Sequence, residues 1–523
     1  MNNSKIGDIV KNLFKNREDT NKKEKNKKQG NNKKLIIYKK DIITFIIIFV
    51  IACITLIGFF PMHYATDTYN IINIGYEEYM MNNSLKDGRI IMGMLVFIAN
   101  TFNMPIEIWI PILLVLAVII SCISVIILNH IILSYKPAKN KWVEAVVLFI
   151  SYCTIFNFMY LENLYFAECA VMALSILSYI LSAKNIVKKH FIKAFLWSML
   201  GIISYQGNIG TLIVMTLLFS FLENQNNEKK MKNVILDFIL AGLIALLVAI
   251  LNLAIIKLIC LVTGMTGDRT QAISSIINNI KYIFNNFIRV IVNTAGMLNS
   301  GTFIILLTIV SVTATILFII YSEKPIENLL QLILLIILSI ACAFISSAMS
   351  LSGFNSARIR FTIGALIGIL FILMYCKSRL LEKKNAFEII FSFIVISYTL
   401  INMYTYFSIT MQHKRTNEFE KVEAEKIENV IEKYENENNI IVDKICIIKK
   451  SQNNHKLESS KNSCVPTYIA TRCEWGIKGA LQYYEDRKLN QVEVNIIENQ
   501  EFNLSKEQYK CIDNTLFVNV SVY

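Results

Sequence analysis

Asp67, Glu77, Glu78, Asp87 and Arg89 fall in one stretch between Pro61 and Pro105, among tyrosines and asparagines and directly after a long apolar run. A carboxylate can take a proton from an attacking hydroxyl, and a guanidinium can hold a departing phosphate. Ionisable groups beside a low-dielectric slab are unfavourable there unless they are used, so this loop is the first place to look for a site. Further along the chain come Glu162, Glu168, Tyr205 and Gln206, then Arg269 beside Asp268, then Arg358 and Arg360 with Asn355 and Ser356. Together they offer one set of candidate acids and one set of candidate anion-binding cations.

Each has a plainer reading. Asp67 stands about seven residues past the apolar run; Thr66 or Asp67 can cap a helix starting at Tyr69, and capping does not exclude catalysis. Thr68 follows Asp67, so no paired acid marks a metal site there; a divalent ion is left open, without support from this spacing. Glu77 and Glu78 suit the solvated face of a helix. Asp87-Gly88-Arg89 reads as a turn into a helix, with Asp87 available as cap and Gly88 permitting the turn. Glu168 falls about one turn inside an apolar segment, where a carboxylate must face a polar cavity. Tyr205 and Gln206 fit an ordinary turn. Arg89, Arg269, Arg358 and Arg360 can each cradle a phosphate, or reach lipid headgroups.

The elements that must position these residues are membrane helices. Hydrophobic residues make up 54% of the 523 and charged residues only 17%, and the mean hydropathy is +0.48. Soluble domains carry about 25% charged residues. Apolar segments long enough to span run Asp41–Phe60, Ile106–Leu133, Trp142–Met159, Leu164–Ser182, Phe191–Tyr205, Ile209–Leu222, Val234–Val262, Phe303–Tyr321, Leu329–Met349, Phe361–Tyr375 and Phe387–Phe407. Gly88–Asn103 is too short and better suits an interfacial or re-entrant helix. Leaving it uncounted puts every lysine-rich loop (136–141, 184–190, 224–233, 322–328 and 377–385) on the side of the basic N-terminus. The short loops near Leu161–Asn163 and Gln206–Asn208 carry no lysine or arginine. The N-terminus is then expected inside and the C-terminus outside.

The expected domains are a basic cytosolic tail (1–40), a transmembrane region (41–410) with outer loops 61–105 and 263–301, and an extracytoplasmic α/β domain (411–523). The first holds 13 lysines and arginines and is suited to anionic lipid. Nothing in it interleaves aromatics with the basic residues, so nucleic-acid binding is not expected. No cleavable signal peptide is expected, because a long polar stretch precedes an apolar run that can stay as an anchor. The second outer loop places Ile273, Ile276, Ile277, Ile280, Ile283, Phe284 and Phe287 at helical spacing, an amphipathic helix. The tail opens with a charged helix from Thr416 and continues in apolar runs at Ile440–Ile448, Val492–Ile497 and Leu516–Tyr523. Cys464 and Cys473, nine apart, are expected to pair in an oxidising exterior.

Through ATDTYNIINIGYEEYMMNNSLKDGRIIMGML, ENLYFAECAVMALSILSYIL, SYQGN and NSARIRFTIG, the chain resembles the GT-C class of membrane glycosyltransferases. Within it, the chain is similar to the serotype-converting glucosyltransferase family (glucosyl transferase II). The resemblance implies a polytopic all-α fold of about eleven spans with an interfacial helix in the first outer loop. It implies a polyprenyl-phosphate hexose, glucose in that family, as donor and a cell-surface polysaccharide as acceptor. The acid of the first outer loop, here Asp67, would be the base; the synthase and flippase of the lipid-linked sugar would be its functional partners. No glycine-rich nucleotide loop appears, which argues against a nucleotide sugar as direct donor. A lipid-linked-glycan transporter is the rival from another class, and should carry its ionisable groups at mid-membrane. A glycan polymerase is a further alternative.

Overall fold

The computed structural model describes residues 39–60, 64–227, 231–264, 273–285, 301–348, 356–378, 381, 385–449, 468–496 and 508–520. The chain divides into two compact units, residues 1–51 and 52–523. In the first, residues 39–51 are helical. All that follows concerns the second.

Its helices are α1 (Thr66–Tyr79), α2 (Ile90–Thr101), α3 (Ile106–Tyr135), α4 (Lys141–Ile155), α5 (Leu161–Tyr165), α6 (Cys169–Val187), α7 (Phe191–Ser204), α8 (Gly210–Asn227) and α9 (Met231–Thr263). They continue with α10 (Ile273–Asn285), α11 (Gly301–Ile320), α12 (Pro325–Ala343), α13 (Phe361–Lys377), α14 (Asn385–Asn438) and α15 (Glu474–Glu485). Among the described residues six helical stretches are long and apolar enough to cross a membrane: Ile106–Tyr135, Cys169–Val187, Gln206–Glu223, Met231–Thr263, Pro325–Ala348 and Ala386–Asn438. The protein is therefore helical and membrane-spanning in character. Phe191–Ser204 and Phe361–Lys377 are apolar but shorter.

Local chemistry explains where boundaries differ from those read in the sequence. Helix α4 stops at Ile155 instead of Met159 because Asn157 folds its side chain onto the backbone, accepting from the N–H groups of Met159 and Tyr160 at 3.1 Å each. The apolar run expected to start at Leu164 is split: α5 ends at Tyr165, Phe166 is extended, and α6 starts at Cys169. Helix α2 has 12 residues, about 18 Å of rise, short of a 30 Å hydrocarbon core. The amphipathic segment becomes α10, with Ile283 buried beside Phe344.

The lysine-bearing connections share one end of the helices. Lys136 Nζ donates to the Ser378 carbonyl at 3.3 Å, Lys139 pairs with Glu388, Ser322 bridges Ser378, and Lys377 Nζ donates to the Phe221 carbonyl at 3.0 Å. Lys189 and Ser220 both reach Asp237. Helix α13, about 25 Å long, separates Lys377 from the arginines at its other end.

Helix α14 runs 54 residues without a break, passing straight from the apolar Phe387–Phe407 segment into the charged tail. No glycine or proline interrupts Asn385–Asn438, so nothing ends it. Beyond it, β1 (Lys444–Lys449), β2 (Gln491–Ile496), β3 (Tyr509–Ile512) and β4 (Thr515–Asn519) form a sheet in the order β2-β1-β4-β3. Strand β1 is parallel to both neighbours, and β3 closes one edge antiparallel to β4. The central strand is buried on both faces. Ile445 and Ile447 join Ala424, Ile427 and Ile431 of α14 with Ile477 and Leu481 of α15, while Cys446 and Ile448 lie under Phe517.

Candidate functional site

The end of the helices opposite the lysines gathers most of the acids and cations singled out by sequence. Helix α1 starts at Thr66, three residues earlier than expected, with Ala65 as N-cap and no side-chain cap bond. Neither Thr66 nor Asp67 therefore caps it, which corrects the capping reading. Asp67 occupies the second helical position, half-buried, where the helix dipole favours its charge. Gly75, at φ 81°, kinks α1, and beyond the kink Glu77 and Glu78 are exposed, with Glu78 accepting a 3.3 Å bond from Asn82. The structure leaves this pair outside the cluster.

The turn Asp87-Gly88-Arg89 is at its centre. Arg89, and not Asp87, is the N-cap residue of α2, again without a side-chain bond. Gly88 has φ 74°, and an added Cβ would stand 2.8 Å from Asn252 Nδ2 and 2.7 Å from Ile256 Cδ1 on α9. Only glycine lets this turn seat against that helix. Arg89 then donates to Glu168 Oε1 at 2.9 Å and lies 3.8 Å from Asp87 Oδ2, with its guanidinium 5.4 Å over the Tyr205 ring. Tyr79 OH reaches the same Glu168 oxygen at 2.7 Å, and Gln206 Nε2 donates to the Asp87 carbonyl at 2.8 Å. Glu168 is the N-cap residue of α6, and so lies at the helix mouth instead of one turn inside. Tyr205 and Gln206, expected as an ordinary turn, belong to the cluster.

Glu162 does different work. Its Oε1 accepts from Ser356 Oγ at 2.5 Å and its Oε2 from the backbone N–H of Arg358 at 2.8 Å. Asn163 Nδ2 adds a 3.2 Å bond to the Arg358 carbonyl. These bonds fix the backbone around Arg358 and aim its guanidinium over Phe166, 4.1 Å from the ring centre. Arg360 turns the other way. It is 1% exposed, 4.0 Å over the Phe344 ring, and donates to Ser347 Oγ at 3.2 Å and the Ala343 carbonyl at 3.5 Å. Arg269 lies outside the described residues, as does Cys464; Cys473 is buried at the start of α15.

Charge balance ties Asp67 to this group. Burial opposes the Arg358 charge, but Tyr205, Glu162 and Asp67 outweigh it and hold its pKa above the ordinary arginine value. Burial likewise opposes Arg89, and Glu168 with Asp87 overcomes it. Burial, then Glu168, pushes the Tyr79 phenol well up, so it stays a proton donor. Around these residues Thr66 Oγ1, Thr68 Oγ1, Ser84 Oγ, Arg89 Nε, Glu168 Oε2, Asn208 Oδ1 and Asn252 Oδ1 are buried with no hydrogen-bond partner among the described residues. Chemically the arrangement offers one half-exposed carboxylate inside the field of a half-buried arginine. Among the described residues no three His, Cys, Asp or Glu side chains gather as a metal-ligand set. A cavity of about 210 Å³ lies at the lysine end, between Lys136, Tyr375, Glu388 and Phe391. It is away from these groups, and chemistry instead of volume locates the candidate site.

No protein-family model matches the chain, and no curated protein sequence matches it.

Sequence reasoning missed Tyr79, Phe166, Asn252 and Glu420. The first three read as apolar or neutral residues with no motif of their own. Glu420 hides in an acidic run, yet it shares the helical stripe of Ala424, Ile427 and Ile431, which all turn inward. A carboxylate on the apolar stripe of an amphipathic helix was the available signal.

Proposed function

We propose that the chain is a polytopic membrane glycosyltransferase of GT-C type. It would take a hexose, glucose by resemblance, from a polyprenyl-phosphate donor and pass it to a cell-surface polysaccharide at the outer face of the cytoplasmic membrane. The N-terminus is placed in the cytosol and the tail outside, following the lysine asymmetry. The observation that carries the reading is a half-exposed Asp67 that does not cap its helix and whose charge, after Tyr205 and Glu162, helps to hold that of Arg358.

In this mechanism Asp67 accepts the proton of the acceptor hydroxyl as oxygen attacks the anomeric carbon, and the polyprenyl phosphate leaves with inversion. Arg358 is the cation assigned to the departing phosphate: Glu162 braces its segment through the Arg358 N–H and the Ser356 hydroxyl, and Arg360 is committed to Phe344, Ser347 and the Ala343 carbonyl. Arg89, neutralised by Glu168 and Asp87, holds the turn before α2 against the start of α6. The transporter alternative requires ionisable groups at mid-membrane, whereas the cluster here stands at helix ends. Transfer of labelled hexose from a synthetic polyprenyl-phosphate sugar by the purified protein in lipid tests the reading. Uptake of lipid-linked glycan across the bilayer without transfer would replace it by the transporter.

A further inference from the structure

The C-terminal tail reaches back onto the helix that bears Asp67. Helix α15 crosses α1 at backbone contact: an added Cβ on Gly479 would stand 1.7 Å from the Tyr69 carbonyl oxygen, and one on Gly476 would stand 2.6 Å from Thr66 Cγ2. Between them, Glu420 of α14 is buried at 1% exposure. Its Oε2 accepts from Tyr69 OH and from Asn417 Nδ2 at 2.8 Å each, and its Oε1 from the Ala470 N–H at 2.7 Å. Tyr69 OH also meets Tyr484 OH of α15 at 2.7 Å. Asn417 closes the ring, donating to the Tyr64 carbonyl at 2.8 Å and accepting from the Tyr64 N–H at 3.2 Å. Three parts of the chain far apart in sequence are thus joined at one carboxylate, and Tyr69, which donates to it, stands two residues from Asp67.

We propose that Glu420 is a positioning residue: through Tyr69 it seats the first turn of α1, so that Asp67 is in place only while the tail is docked. The proposal rests on the glycosyltransferase reading for its consequence in catalysis and on geometry alone for the docking. A surface carboxylate would be an ordinary helix residue. A fully buried one, accepting from Tyr69, Asn417 and Ala470, has instead been kept where its removal leaves three donors unanswered.

The test uses the full-length protein in lipid nanodiscs and three variants: Tyr69→Phe, Glu420→Gln and Arg487→Ala. The last breaks the ion pairs of Arg487 with Glu428 and Glu435 inside the tail. In Tyr69→Phe and Glu420→Gln, amide protection across Thr66–Tyr79 should fall roughly tenfold or more, as expected when a hydrogen bond to a charged group is lost. Arg487→Ala should loosen the tail around Glu428 and Glu435 while the Glu420–Tyr69 contact keeps α15 docked, leaving α1 much better protected than the other two do. Sugar transfer by Tyr69→Phe and Glu420→Gln should lose kcat with the donor KM retained. Unchanged protection of α1 in both, or equal exposure of α1 in Arg487→Ala, would overturn the proposal. If the wild-type protein transfers no sugar yet α1 loosens as described, the docking stands and only the catalytic reading falls.

Discussion

Glu162 accepts the backbone N–H of Arg358 at 2.8 Å, while its other oxygen takes the hydroxyl of Ser356. A carboxylate with both oxygens occupied by the backbone and side chain of one segment is a brace. Glu162→Gln keeps the shape but offers one of those donors an amide N–H in place of an acceptor. Leaving a buried donor unanswered costs about 1–3 kcal/mol. We expect a donor KM raised by about an order of magnitude or more and a modest loss of thermal stability, measured by steady-state transfer and by thermal unfolding in detergent.

Arg358→Ala removes the cation assigned to the donor phosphate, and a charge-assisted contact contributes about 1.5–3 kcal/mol. Donor KM should rise at least tenfold with little change in melting temperature. Arg360→Ala should do the reverse, because its guanidinium is spent on Phe344, Ser347 and the Ala343 carbonyl. Equal kinetic effects of the two substitutions would mean that Arg358 has no special role.

The Arg89–Glu168 pair is nearly shut off from solvent, with side chains 12% and 6% exposed. Removing one partner of such a pair is destabilising by about 3–5 kcal/mol, since the other charge is left uncompensated. Arg89→Met and Glu168→Gln should each lower stability strongly. The double variant should fall well short of their sum, a coupling that thermal unfolding of all four proteins measures.

Much of this architecture was legible. Lysine asymmetry grouped the loops 136–141, 322–328 and 377–385, and these three do meet at Ser378. The long apolar runs from Ile106 and from Val234 became helices, and the three apolar runs of the tail became strands. What was not legible depends on contacts between segments distant in sequence. Thr66 looked like a cap because its type favours capping, but the preceding chain delivers Ala65 to that position. Glu168 looked intramembrane because periodicity cannot see the extended Phe166 that interrupts the run. Glu420 lies in the stretch read only as a charged helix from Thr416, and the docked tail is what shows which face is covered.

Burial is the first cause that pushes the Glu420 pKa up to about 7. The bonds from Ala470, Asn417 and Tyr69 oppose it, and the nearby Glu423 adds to it. Tyr69 and Tyr484 face it from α1 and α15 as neutral phenols. An unfolded glutamate titrates near 4.3. With the folded value raised, its favourable contribution is fully present below about pH 4.3 and is lost as pH rises to about 7. The change is at most about 4 kcal/mol. The stability gap between wild type and Glu420→Gln, followed by thermal unfolding, should therefore shift toward the variant across that window. A gap independent of pH would contradict the titration.

The central claim is that Asp67 is a proton acceptor and not a structural residue. Because Ala65 stands at the N-cap position of α1, Asp67→Asn costs no helix cap; it gives up a dipole interaction of about 0.3–1 kcal/mol and its share of the field that holds the Arg358 charge. General-base catalysis contributes about 10²–10⁴-fold in rate. The direct measurement is turnover of Asp67→Asn on a synthetic polyprenyl-phosphate hexose in lipid, beside its melting temperature. We expect kcat to fall by at least a hundredfold with melting within a few degrees of wild type. A variant that melts like wild type and keeps wild-type turnover would contradict the account.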